Sequence, residues 1–200
     1  MRYWQCKADQ STEFRLYRGK ELHLPKGDMR KTRFFVLESR EFIHVRLHIT
    51  EKVKQDVHYA VAVNDIKEYE KKYGNIPDGA FVALRTDWSK KWPNMEAVSG
   101  TDADGKDNFP GWSLEALQYI YEERNAAANG HETLDTDASV IAEAAGDLIC
   151  ERYVLGKGKI QVEMLANLDQ VAVAGAVVIV SYPRFEGATG LPARVWAITE

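Results

Sequence analysis

The clearest periodic signal in the chain is "FIHVRLHIT", Phe42 to Thr50. Ile43, Val45, Leu47 and Ile49 alternate with His44, Arg46 and His48, which predicts a half-buried strand with one basic, polar face. "RFFVLE" just before it reads as strand as well. "NDIKEYEKKYG" changes to helical spacing: Asn64 as N-cap, an apolar stripe of Ile66, Tyr69 and Tyr73, and Gly74 as the stop. A Pro-Asp-Gly turn then leads into a strand from Ala80 to Arg85. Ala97 to Asn108 is small and polar and reads as a surface loop. Ser113 caps a helix carrying Leu114, Leu117, Ile120 and Tyr121, which Gly130 is expected to end. An Ala-rich helix follows, around Asp137 to Cys150. "GKGK" is a turn, and "KIQVEML", "GAVVIVSY" and "LPARVWAITE" read as three closing strands. This mixture predicts one α/β or α+β domain.

Composition narrows the function classes. With 200 residues, 45% hydrophobic and 28% charged, the chain has an ordinary globular composition and enough length for one core. The net charge of −4 and the lack of a basic stripe argue against nucleic acid as partner. The longest apolar run, Val171 to Val180, spans ten residues and is too short to cross a bilayer. "MRYWQCKADQ" has no apolar segment of the secretory type, and the two cysteines, Cys6 and Cys150, form neither a disulfide framework nor a zinc knuckle. A cytoplasmic setting is the expectation.

Candidate chemistry is sparse. Glu163 is an acid inside an apolar run, a position that needs compensation by a cation, a metal or a set of donors. Glu151 and Glu163 could form a carboxylate pair for acid/base work. Alternatively, either could pair with Arg152 or Arg194 and do no chemistry. His44 and His48 lie on a strand, where four residues span about 13 Å, too far to grip one ion. His58 reads as a surface residue. "GHETLDTD" gathers His131, Glu132, Asp135 and Asp137; Asp135 or Asp137 could simply cap the following helix while the others face water. Trp88, Trp92 and Trp112 could line a pocket for an aromatic substrate or pack in the core. No nucleophile elbow is present, and Cys150 near a helix end is not an activated thiol.

Four stretches in register carry a resemblance: "VNDIKEYEKKYGNIPDGAFVALRTDWSKKW", "NFPGWSLEALQYIYEERNAAANGHETLDTDAS", "RYVLGKGKIQVEMLANLDQV" and "GATGLPARVWAI". They resemble the cyclase family, metal-dependent hydrolases that include bacterial kynurenine formamidase and isatin hydrolase. The resemblance implies a single domain of the swivelling β/β/α type, a mixed sheet flanked by helices, in a homodimer or larger homo-oligomer. Residues 42–200 are the family-like part, and 1–41 match nothing placed. It also implies hydrolysis of an amide or lactone of a small, aromatic substrate, with a divalent ion, zinc or manganese, as cofactor.

Carried over by position, Glu163 matches the family's ligand-type carboxylate and is the expected metal and catalytic residue. Glu151, twelve residues earlier, stands where the family has a histidine. Trp88, Trp92, His131 and Asp135 are the expected substrate-binding residues. The family's N-terminal motif, H-x-G-T-H-x-D-x-P-x-H, is absent from this sequence. The N-terminal part is therefore expected to be diverged or truncated. The alternative function is a relative without a metal centre, acting as a ligand- or partner-binding protein or an inactive remnant.

Overall fold

The computed structural model describes residues 36–184 and 190–199. A six-stranded mixed sheet of order β6-β5-β3-β1-β7-β8 organises the chain. Its strands are β1 (Val36–His48), β3 (Phe81–Arg85), β5 (Ala128–His131), β6 (Ile160–Val162), β7 (Ala174–Arg184) and β8 (Arg194–Ile198). β1, β3, β5 and β6 run parallel, while β7 and β8 are antiparallel additions beside β1. A small parallel pair, β2 (Ala60–Val61) and β4 (Gly111–Trp112), stands apart from it. The expected α/β class with a mixed sheet flanked by helices is what the chain adopts. Arg33, Phe34 and Phe35 of the anticipated "RFFVLE" strand, and Cys6 and His23, lie outside the described residues.

Two cores sandwich the sheet. On one face Val45, Leu47, Val82 and Leu84 pack under the helices α1 (Thr50–Gln55), α2 (Val63–Tyr73), α4 (Leu114–Gln118) and α6 (Ile149–Gly156). On the other, Phe42, Phe81, Ala83 and Val178 are covered by Leu165, Leu168 and Val171 from the connection between β6 and β7. That second cover changes the reading of β1. Its basic face is buried at two of its three positions: His44 is 1% exposed and stacks on Phe81, and Arg46 is 7% exposed, while His48 stays exposed as expected. Arg46 Nη1 donates to the Leu168 carbonyl at 2.5 Å, so the guanidinium pins the covering segment. Ile43, expected inside, is 50% exposed; the pairing shifts between Ile43 and Val45, which breaks the alternation.

Four further expectations change. Helix α2 starts at Val63, not after an Asn64 cap: the Asp65 carboxylate accepts the Ala62 N–H at 2.7 Å and the Tyr59 hydroxyl at 2.9 Å. The helix capped by Ser113 does not run to Gly130. It widens into a π-turn over Tyr119–Glu123 and stops, and "ANGH" forms β5 in the middle of the parallel strands. Gly130 serves packing there, since a Cβ would lie 2.6 Å from both Leu165 Cδ1 and Phe81 Cζ. The Ala-rich helix is two helices, α5 (Ser139–Ala145) and α6, parted at Gly146 with φ 62°. Short α3 (Met95–Ser99) takes up the start of the segment read as a surface loop, with Asn94 Oδ1 accepting the Ala97 N–H. No described helix is long and apolar enough to cross a membrane.

Candidate active site

The parallel strands deliver their carboxyl ends to one rim of the sheet, where α/β folds place ligands. Three features meet along it: a cluster of carboxylates, a buried histidine and an open cleft.

The carboxylate cluster is built from three elements. Glu163 follows β6 directly, Glu151 sits in the first turn of α6, and Asp135 lies in the loop after β5. Burial first, then the Glu151 and Asp135 carboxylates, raise the Glu163 carboxyl from 4.5 to about 7. Only the Gln161 amide, donating to Glu163 Oε1 at 3.3 Å, pulls the other way. Glu151 is raised by burial, Asp135 and Asp137, and Asp135 by burial, Asp137 and Asp107. Neither arginine considered as a partner compensates them: Arg152 pairs with Asp147, and Arg194 lies over the Trp196 ring. Among the described residues no Lys, Arg or His forms an ion pair with Glu163, Glu151 or Asp135. Such a group shares protons rather than charges, which suits it to proton transfer near neutral pH.

Asp137 is the anchor of this arrangement. It is fully buried, its Oδ1 accepting the Cys150 N–H at 2.9 Å and its Oδ2 the Glu151 N–H at 3.0 Å. It caps α6, the second helix downstream, not α5, whose own start carries no side-chain cap. Glu151 is thereby fixed next to Glu163. Asp137→Ala removes a cap and leaves the buried Cys150 N–H and the part-buried Glu151 N–H unpaired, so unfolding stability should fall by about 2–4 kcal/mol in denaturant titration. Cys150 lies at the start of α6, contrary to the helix-end reading. Its thiol is nonetheless inert, because burial and then Asp137 push it far up.

His131 ends β5 and is completely buried, with neither ring nitrogen hydrogen-bonded among the described residues. Burial lowers it to about 3, so the ring is neutral. It stands behind the rim, not in contact with solvent. Glu132, expected to face water, is 2% exposed and accepts four hydrogen bonds. His58, expected at the surface, has Nδ1 3.2 Å from Ser139 Oγ.

The cleft, about 320 Å³, opens between the segment after β3 and the segment after β6. Ser89, Lys90, Trp92 and Val98 form one wall, Met164, Ala166, Asn167, Asp169 and Gln170 the other, with Glu132 between them. Of the tryptophans, Trp92 is 39% exposed and lines the cleft. Trp88 does not line it: the ring is buried and its Nε1 donates to the Val98 carbonyl at 2.7 Å. Trp112 is wholly in the helix-side core. The structure therefore sets Glu163, Glu151 and Asp135 near enough to raise one another, puts Trp92 on the cleft, and sets Trp88 and His131 behind. Sequence reading missed the segment 164–170, whose backbone turns at Met164 (φ 55°) and Asn167 (φ 62°) carry no residue signal for such a turn beyond the asparagine.

The expected divalent ion finds no complete ligand set in this part of the chain. Among the described residues no three His, Cys, Asp or Glu side chains come together in a group that could hold a metal. The carboxylates lie near enough to raise one another yet do not converge on a common point. His44, lowered to about 4 by burial and by Arg46, is packed against Phe81 away from them.

The fold matches known proteins. A family model described as "Putative cyclase" matches residues 36–138, just over half of the chain, and the protein belongs to the cyclase family. Isatin hydrolase from Roseibium aggregatum is 27% identical over 143 residues, covering 72% of this chain and 54% of that protein. The solved isatin hydrolase A from Labrenzia aggregata, bound to benzyl benzoate, superposes with a TM-score of 0.73 at 32% identity, covering 78% of this chain and 60% of that one. Isatin hydrolase A from Ralstonia solanacearum gives 0.75 at 29% identity, covering 80% and 60%. The chain thus spans little more than half the length of the relatives it matches.

Proposed function

We propose that this protein hydrolyses the amide bond of a small aromatic substrate, a cyclic amide of the isatin type, at the rim carrying Asp135, Glu151 and Glu163. The observation that carries the reading is this group of carboxylates without a cation, with Glu163 next in sequence to Met164 on the wall of a cleft that also carries Trp92, in a cyclase-family chain. Ring opening breaks the C–N bond and forms a C–O bond with water. Glu163, with its proton held to about pH 7, donates it to the departing nitrogen. Glu151 or Asp135, as carboxylate, takes the proton that the attacking water loses, and the cluster then redistributes it to Glu163. No step is assigned to a metal, since the described residues do not fit one.

Incubating the purified chain with isatin, with and without added manganese or zinc, tests the reading. Loss of the isatin absorbance band with formation of the ring-opened acid, faster than in buffer, is the expected result. Rates equal to buffer in every condition would overturn it. The absence of a metal-holding group among the described residues favours a second reading, binding without turnover; saturable isatin binding with no ring opening would select it. A cytoplasmic homodimer or larger assembly belongs to the same proposal. It is supported by the cross-strand pair Ile43 and Val177, 50% and 38% exposed on one sheet face, and light scattering tests it.

A further inference from the structure

We propose that Glu132 is a positioning residue: its buried carboxylate holds the segment from Thr86 to Trp92 in the conformation that places Lys90 and Trp92 on the cleft, and so sets affinity for an aromatic ligand. The inference rests on the cleft being the ligand site of the proposed hydrolase.

The geometry begins where the chain leaves β3. Asp87 has φ 61°, a left-handed conformation uncommon for a residue with a side chain. The turn aims two consecutive backbone N–H groups, those of Thr86 and Asp87, at one point. Successive N–H groups in a turn form a concavity that binds an anion. Here the acceptor comes from the residue just after the neighbouring strand β5: Glu132 Oε2 accepts both N–H groups at 2.6 Å and the Thr86 hydroxyl at 3.1 Å. Glu132 Oε1 accepts the Ser89 hydroxyl at 2.6 Å. The held segment continues into the cleft wall. Lys90 Nζ reaches Asp87 at 2.7 Å and Asp169 at 3.6 Å, tying this wall to the opposite one. Trp92 follows at the end of the turn.

Glu132 is not itself part of the proton-transfer group. Both of its oxygens are occupied by donors, leaving neither to take a proton from a ligand. The carboxylates that raise Glu163 are Glu151 and Asp135, and Glu132 is not among them. Its role runs through the backbone of its neighbour strand.

Glu132→Ala leaves the Thr86 and Asp87 N–H groups without their acceptor. Glu132→Gln keeps the geometry, its carbonyl accepting from Thr86 and Asp87 and its amide donating to the Ser89 hydroxyl. Hydrogen exchange of the 86–92 segment, calorimetric titration with the stable lactam 2-oxindole, and the split between KM and kcat for isatin are the readouts. In Glu132→Ala, exchange over 86–92 should accelerate, 2-oxindole affinity should fall about tenfold or more, and KM should rise likewise with kcat within about threefold. Glu132→Gln should restore all three. A folded Glu132→Ala with unchanged exchange and affinity would overturn the proposal, as would a Glu132→Gln that loses kcat instead. If Glu132→Ala does not fold, Ser89→Ala with Glu132→Gln decides in its place: accelerated exchange in the first and wild-type exchange in the second support the assignment, and any other pattern overturns it. Should the wild type bind and open no lactam, the hydrolase reading fails by itself, and the exchange data still decide whether Glu132 holds the segment.

Discussion

Glu163→Gln should lower kcat for aromatic-lactam hydrolysis by about 10²–10⁴ and leave the fold intact, the loss expected when a positioned proton donor is removed. The substitution keeps shape, and the new carbonyl can still accept from Gln161. What it deletes is the one carboxyl that burial, Glu151 and Asp135 hold protonated to about pH 7. The same change has a stability signature. In the folded protein this carboxyl binds its proton more tightly than at its ordinary value of 4.5, so the native state carries the extra proton between 4.5 and about 7. Stability therefore falls as pH rises through that window and stays lowered above it. Glu163→Gln should remove this slope and be the more stable protein at pH 8. A variant that is both less active and less stable at pH 8 would mean that Glu163 has a partner the account lacks.

The second large effect concerns acid. His131, lowered to about 3 by burial, and His44, lowered to about 4 by burial and by Arg46, are neutral in the native state. Their ordinary value is 6.5, so the unfolded chain binds protons that the native state refuses between 6.5 and these values. Their contribution is fully present above pH 6.5 and is lost as pH falls, by about 1.4 kcal/mol per unit for each ring across its window. His131→Leu replaces a ring without hydrogen-bond partners by an apolar side chain. It should cost little at pH 8 and make stability markedly less steep in pH between 6.5 and 4. Chemical denaturation across that range, wild type beside variant, checks it. Equal slopes in the two proteins would show that His131 is protonated or hydrated in the native state.

Where one physical signal dominated, the sequence was readable. The alternation of Val45 and Leu47, the glycine stop at Gly74 and the Ser113 cap each follow from local chemistry, and the structure has them. Glu163 was legible as an acid needing compensation, and its proximity to Glu151 was legible from family spacing. The failures share a cause, long-range cover. β5 has four residues, no β-branched side chain and a glycine, so no period could reveal it; its strand state comes from pairing with β3 and β6. His44 and Arg46 look like a solvated face until the segment around Leu168 folds over them. Glu132 looked like a surface acid because its donors, Thr86, Asp87 and Ser89, lie more than 40 residues away in sequence. Glu163 pairs with neither Arg152 nor Arg194, which are engaged elsewhere, and its neighbours are acids.

The claim at the centre is that the Glu163 proton drives ring opening. Measuring kcat for isatin hydrolysis from about pH 5 to 9, in wild type and Glu163→Gln, tests it most directly. The account predicts a wild-type rate that is high on the acid side and breaks downward near 7, with no such break in the residual rate of the variant. A wild-type profile without a break there, or the same break retained by Glu163→Gln, would contradict it.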